Sequence, residues 1–122
     1  KDARQRCEKI LFLLLMFAER NPSISRILNG DALTGEHERL QVRIVQFFDR
    51  LEAQLRQVLR EAELRDGLGT VVTSTAAANL LLTLVDGHLS RFVRSGFRQS
   101  PTEHWESQWR YLQQTLFRQL SA

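Results

Sequence analysis

Nine consecutive apolar residues, Ile10–Ala18 (ILFLLLMFA), run into the abrupt polar stop Glu19-Arg20-Asn21-Pro22, and this stretch constrains the fold more than any other. A transmembrane helix needs about 20 apolar residues to cross the hydrocarbon. Arg4, Arg6, Glu8 and Lys9 precede the run and Glu19 and Arg20 close it, so it is too short and too closely flanked by charge to span a membrane. Nor does "AERNP" supply the small-residue cleavage site of a secretory signal. A helix apolar on every side is one that several neighbours bury. The run is therefore expected to be core, and the polar stop is either helix termination alone or the rim of a groove.

With 122 residues the chain is one domain, large enough to bury roughly two thirds of the surface its unfolded form exposes. Its single cysteine, Cys7, has no disulfide partner within the chain, which favours a reducing, cytosolic setting. Nothing basic is arranged around Cys7, so it reads as a plain helix residue and not a reactive thiol. The chain opens at Lys1, inside what reads as a helix and without Met, as expected of a domain cut from a longer protein. Fifteen arginines and two lysines give a net charge of +3, which suits an acidic partner or nucleic acid. The basic residues are interleaved with carboxylates along the chain, however, and solvated helix faces with intrahelical pairs are the plainer reading.

Prolines and glycines punctuate five helical stretches. The first spans about Asp2–Arg20 and ends at Asn21-Pro22, because a residue before proline avoids the α region. Asn21 can cap a short second helix with Pro22 in its first turn, ending at Asn29-Gly30. A third helix starts at Asp31 or Thr34 and ends at Asp66-Gly67, with the apolar stripe Leu40, Ile44, Phe47, Leu51, Leu55, Val58 and Ala62. Glu52–Arg56 and Glu61–Arg65 are i,i+4 pairs in the favourable order. "DGLGT" (Asp66–Thr70) lacks the strand and lysine of a phosphate loop and reads as a turn. The fourth helix runs from Thr73 or Ser74 to about Ser95, and the fifth follows Ser100-Pro101-Thr102 with Trp105, Trp109, Leu112, Leu116 and Leu120 on one face. No period-2 stretch competes, so the expected fold is all-α.

No catalytic or metal-binding constellation is visible. Asp86, His88 and Ser90 resemble a triad in composition, but residues two apart on a helix point to different sides. His37, in GEHERL, has no second histidine at zinc spacing, and His104, in TEHWES, has no second strong ligand. Neither enzymatic activity nor a cofactor is expected.

Two features exceed a plain bundle. The last two helices carry apolar faces wider than one antiparallel pair consumes, so they belong either to the chain's own core or to a two-fold, four-helix interface between copies. The residues assigned to that interface are Leu81, Leu84, Val85, His88, Leu89, Phe92, Trp105, Trp109 and Leu112. The second feature is the helix exit at Met16–Leu28, which places a guanidinium and an amide at the lip of an apolar groove. Such a lip suits a peptide with apolar anchors and an acidic group.

"ERNPSISRILNGDAL", "RLQVRIVQFFDRLEAQLRQVLREAELRDG" and "LSRFVRSGFRQSPTEHWESQW" resemble the C-terminal domain of the nucleoid-occlusion branch of the TetR family. The resemblance covers essentially the whole chain (1–122) and leaves out the family's N-terminal helix-turn-helix domain. It implies a TetR-type C-terminal helical domain that dimerises through its last two helices, Thr73–Ser95 and Thr102–Leu120. It implies a cytoplasmic, nucleoid-associated regulator that reaches DNA only through the helix-turn-helix domain. It also implies contact with the acidic tail of FtsZ, the tubulin-like division GTPase, in a groove between the family's fourth and fifth helices. The fifth-helix wall maps onto Leu13, Met16, Arg20 and Asn21. Met16 and Ala18 stand where glycines are familiar in enterobacterial members, which reshapes the groove. The alternative is the small-molecule effector domain of a TetR-type repressor, which predicts a closed apolar cavity.

Overall fold

The computed structural model describes residues 2–30 and 37–120. In chain order these form α1 (Ala3–Arg20), α2 (Pro22–Leu28), α3 (His37–Glu61), a π-type turn (Ala62–Asp66), β1 (Leu68–Thr70), α4 (Ser74–Arg94), α5 (Trp105–Leu116) and β2 (Phe117–Gln119). The expected starts of α3 at Asp31 or Thr34 lie outside the described residues.

α1 is capped at Asp2. The Asp2 carboxylate accepts the Gln5 N–H at 3.2 Å and pairs with Arg4 at 2.7 Å. The hydrogen bond from Arg4 is the chief reason the Asp2 carboxyl lies below its ordinary range. Ala3, Cys7, Leu11, Leu14, Leu15 and Ala18 repeat every three or four residues and line the buried face. Burial pushes the Cys7 thiol up to about 12, which makes it inert as a nucleophile at neutral pH. The apolar run is not buried all round, contrary to the expectation above. Leu13 is 54% and Phe17 48% exposed, because the packed neighbours of α1 gather on its opposite side.

At the break, Asn21 lies at the cap position of α2, but its side chain serves the preceding helix. Its Nδ2 donates to the Phe17 carbonyl at 2.8 Å, and no side-chain cap forms on α2. Pro22 occupies the first turn of α2 as expected. Ser25 is fully buried and its hydroxyl donates to the carbonyls of Ala18 and Asn21. Ala18 itself faces the core, so its methyl group lines no surface groove.

On α3 only the C-terminal half of the predicted stripe is fully buried, at Leu55, Val58 and, at the following turn, Ala62. Phe47 is 42% exposed, and Phe48 and Leu51 pack against the core edge. The two predicted i,i+4 ion pairs do not close. Glu61 accepts from Gln57, and the chain widens into the π-type turn before Arg65 can lie over Glu61. Glu52 turns across to Asn79 on α4, at a long 3.5 Å.

The fold is all-α as expected, with two three-residue strands that the sequence did not announce. α5 stops at Leu116, where Phe117 becomes extended, and β2 pairs antiparallel with β1 in the register Leu68↔Gln119, Gly69↔Arg118, Thr70↔Phe117. Three-residue strands are too short to show a period, and pairing lets Phe117 bury its ring against Trp109. Gly67 turns the chain into β1 with φ +65°, and a Cβ on Gly69 would come within 2.9 Å of the Leu120 side chain.

α4 is the central element, packed on α1, α2, α3 and β1. The Thr73 hydroxyl caps it by accepting the Ala76 N–H, and Ala77, Ala78, Leu81, Val85 and Leu89 form its buried face. Glu19, at the end of α1, accepts from Ser100 and Thr102 in the α4–α5 connection, both at 2.9 Å. Ser90 of α4 donates to Asn29 at the end of α2 at 2.7 Å. The ends of α1 and α4 therefore lie together, and α2 runs back along α4 from that end.

Two predictions test this packing. Leu81 is 0% exposed at the centre of the core. Leu81→Ala should lower unfolding free energy by about 2–5 kcal/mol, read from the denaturant midpoint. Partial desolvation, and secondarily Glu52, push the Asp86 carboxyl above its ordinary range. A raised carboxyl favours folding below the unfolded-state value, and that contribution is lost as pH rises through the folded-state value. Asp86→Asn should therefore raise the melting temperature at pH 7 and leave it unchanged at pH 3.

Candidate partner-binding surfaces

Among the described residues, two of the uncovered apolar surfaces include residues singled out from the sequence. The first is the outer face of α1. Leu13, Met16, Phe17 and Arg20 follow one another at helical spacing and so share a face. Leu13 and Phe17 are half exposed, Met16 is partly covered and Arg20 is open to solvent. Ile24 of α2, 37% exposed, adds a further apolar group near the end of the row. Arg20 makes no ion pair among the described residues, which leaves its planar fork of donors free to take a carboxylate in a bidentate grip. The Asn21 amide gives one of its two N–H groups to the Phe17 carbonyl, so its second N–H and its carbonyl oxygen remain for a partner. Thus the four groove residues expected from the sequence lie at one end of one helix, and Phe17 and Ile24 join them. Neither was singled out beforehand, although Phe17 sits four residues after Leu13, a spacing that could have placed it on the same face.

The second surface lies between α4 and α5. A groove of about 350 Å³ is lined by Leu80, Leu84, Ser107, Gln108, Tyr111 and Leu112. Of the nine interface residues assigned from the sequence, Leu84 and Leu112 line this groove, and His88 is half buried beside it. His88 Nε2 lies 2.6 Å from Gln108 Oε1, and its ring meets Trp105 edge-on. The other six, Leu81, Val85, Leu89, Phe92, Trp105 and Trp109, are buried within the chain itself. Trp105 and Trp109 stack at 5.8 Å between ring centres and fill the seam behind α5. Periodicity marked both helices as apolar but did not say which flank another part of the same chain would occupy. Tyr111, 67% exposed, and Leu80, 45% exposed, occupy the flank that is left. Gly87, one turn beyond Leu84, is exposed, and a Cβ there would meet nothing within 4 Å. A glycine inside a helix costs about 1 kcal/mol, and nothing within this chain requires one there.

The triad-like trio is dispersed. Ser90 bonds Asn29, His88 bonds Gln108, and Asp86 lies near Glu52. His104 is exposed beside Glu103. The His37 side chain lies outside the described residues. Among the described residues no group of three His, Cys, Asp or Glu side chains is placed to hold a metal. A second groove, about 340 Å³ and lined by Glu8, Phe12, Thr102, Trp105 and Glu106, opens to solvent as the first does. No described helix is long and apolar enough to cross a membrane.

The comparisons with known proteins agree with this architecture. The model of the SlmA-like family, described as a tetracyclin repressor-like C-terminal domain, matches residues 1–119. The nucleoid occlusion factor SlmA of Shewanella woodyi is 55% identical over 116 residues, covering 95% of this chain and 59% of the relative. That of Shewanella frigidimarina is 52% identical over 118 residues, covering 97% of this chain and 60% of the relative. The chain thus spans about three fifths of the length of the curated relatives it matches. A family match over almost every residue, on an all-helical core with two short strands, leaves one conclusion: this chain belongs to the SlmA-like family of tetracyclin repressor-like C-terminal domains.

Proposed function

We propose that this chain is the dimerisation and partner-binding domain of a nucleoid-occlusion factor, a regulator that blocks division-ring assembly over the chromosome. It works by binding and makes no covalent chemistry. The observation that carries the reading is the uncovered α1 row, where Leu13 and Phe17 lie exposed next to the unpaired Arg20. That arrangement fits a short acidic peptide with apolar anchors, and the acidic tail of FtsZ is the partner the reading names. The anchors bury against α1, and Arg20 takes a carboxylate by a charge-assisted pair. Met16 flanks this row, so its side chain shapes the apolar floor. Sequence-specific DNA contact belongs, in this reading, to the family's helix-turn-helix domain, and the protein acts in the cytoplasm at the nucleoid. An effector domain would need a closed cavity, whereas the two grooves described above are open surfaces.

Homodimerisation follows from the α4–α5 flank. Leu80, Leu84, Tyr111 and Leu112 form an apolar strip, and Gly87 allows a second helix to approach closely. A two-fold axis through this strip makes a four-helix bundle from α4, α5 and their copies. The contact therefore uses Leu84, Leu112 and the edge of His88 from the sequence-based set, with Leu80 and Tyr111 added.

Leu80→Asp combined with Tyr111→Asp should reduce the sedimentation mass from two chains to one while leaving the helical circular dichroism unchanged. A mass that stays at two chains would remove this interface. For the groove, Arg20→Ala in the full-length protein should weaken binding of an FtsZ tail peptide about tenfold or more, as expected for a lost charge-assisted pair. Wild-type affinity in that titration would place the tail elsewhere.

A further inference from the structure

Charge along the whole chain looks balanced, but the fold sorts it. The segment 37–66 carries six arginines and six carboxylates. The segments 20–30 and 87–102 carry five arginines, Arg20, Arg26, Arg91, Arg94 and Arg98, and no Asp or Glu at all. These two segments are the ones that the Ser90–Asn29 and Glu19–Ser100 bonds bring to the same end of the molecule. With Glu19 and Glu103 counted beside them, the five arginines leave that end a net +3, as much as the entire chain carries. Glu19, at its edge, already accepts from Ser100 and Thr102.

Arg26, Arg91, Arg94 and Arg98 are all exposed, and none forms a salt bridge among the described residues. Arg94 lies one turn beyond Ser90 and Arg26 about one turn before Asn29. Because α2 packs on α4 where Asn29 meets Ser90, both lie on the two helices that form this seam. Arg98 is held in place by the loop itself. The Ser95 hydroxyl accepts the backbone N–H groups of Arg98 and Gln99, at 3.1 and 2.9 Å. Phe97, with φ +66°, turns its ring onto Phe92 at 5.2 Å. The apolar residues between the α4 and loop arginines, Phe92, Val93 and Phe97, face inward or are partly covered, so the stretch from Arg91 to Arg98 offers charge without apolar anchors, whereas Ile24, two residues before Arg26, is exposed.

We propose that Arg26, Arg91, Arg94 and Arg98 form a phosphate-contacting surface for the backbone of a nucleic-acid duplex, independent of base sequence. A peptide partner needs anchor pockets as well as charge, whereas a polyphosphate backbone binds to charge alone through release of its counterions. Arginine suits the task because its planar fork grips phosphate oxygens in pairs. Arg20 is left out of this surface, so the inference does not depend on the α1 row.

The test uses this 122-residue chain and a random-sequence DNA duplex labelled for fluorescence anisotropy. Binding is expected with a dissociation constant on the order of 10⁻⁵ M at about 50 mM salt, and four contacts give a log–log salt slope of magnitude about 3 to 4. The triple variant Arg91→Gln, Arg94→Gln, Arg98→Gln should weaken binding about tenfold or more and cut the slope to about 1, since each lost contact removes about 0.9. The matching triple change to Lys should keep most of the slope. A control on α3, Arg43→Gln, Arg50→Gln, Arg60→Gln, should keep the wild-type slope. The proposal is overturned by no duplex binding at low salt, by an unchanged slope in the first variant, or by an equal loss in the α3 control. Binding of polyglutamate without binding of duplex would also overturn it, in favour of an acidic protein partner.

Discussion

The hydroxyl of Ser25 holds the architecture at its sharpest turn. α1 stops at Arg20 ahead of Pro22, and the carbonyls of Ala18 and Asn21 at that stop accept the N–H groups of Asn21 and Ser25, at 3.1 and 2.9 Å. Ser25, itself fully buried, donates to the carbonyls of Ala18 and Asn21 and closes the turn from below. Such a bond is worth about 1 kcal/mol net. The turn sends α2 back along α4, where Asn29 meets Ser90, and it leaves Glu19 facing the α4–α5 connection. The α1 row and the arginine-rich end both exist because this corner is closed.

A domain of this size cannot bury every apolar face it encodes. Folding places the Trp105–Trp109 stack, Leu81, Val85 and Leu89 inside and leaves other apolar residues outside, among them one strip on α1 and one on α4–α5. Exposed strips of this kind on a chain with a well-filled core mark contacts with other molecules. The two strips differ in character. The α1 row ends in a cation, which suits a charged peptide. The α4–α5 strip is apolar and carries Gly87, which suits a copy of itself.

Much of this was legible before folding. Helix boundaries followed from local chemistry: Asn21-Pro22, Asn29-Gly30, Asp66-Gly67 and the Thr73 cap each act within a few residues of themselves. The exit of α1 was legible because it is a contiguous motif, and reading it as a groove rests on the resemblance. The dimer set was only partly legible. Leu81 and Leu84 are equally apolar and three residues apart, and only packing against the rest of the chain separates inner from outer. The strands were not legible because β1 and β2 stabilise each other across almost fifty residues of intervening chain.

By itself, the sequence determined that the chain is helical, where its helices break, that its apolar run does not cross a membrane, and to which family it is related. These depend on near-neighbour interactions, on length and on motifs that survive as contiguous strings. Tertiary structure alone decided that α1 keeps an open face and that six of the expected interface residues belong to the core. It also decided that arginines from separate segments gather at one end. Burial and surface potential are sums over neighbours in space, and a linear chain does not say which of its segments will be those neighbours.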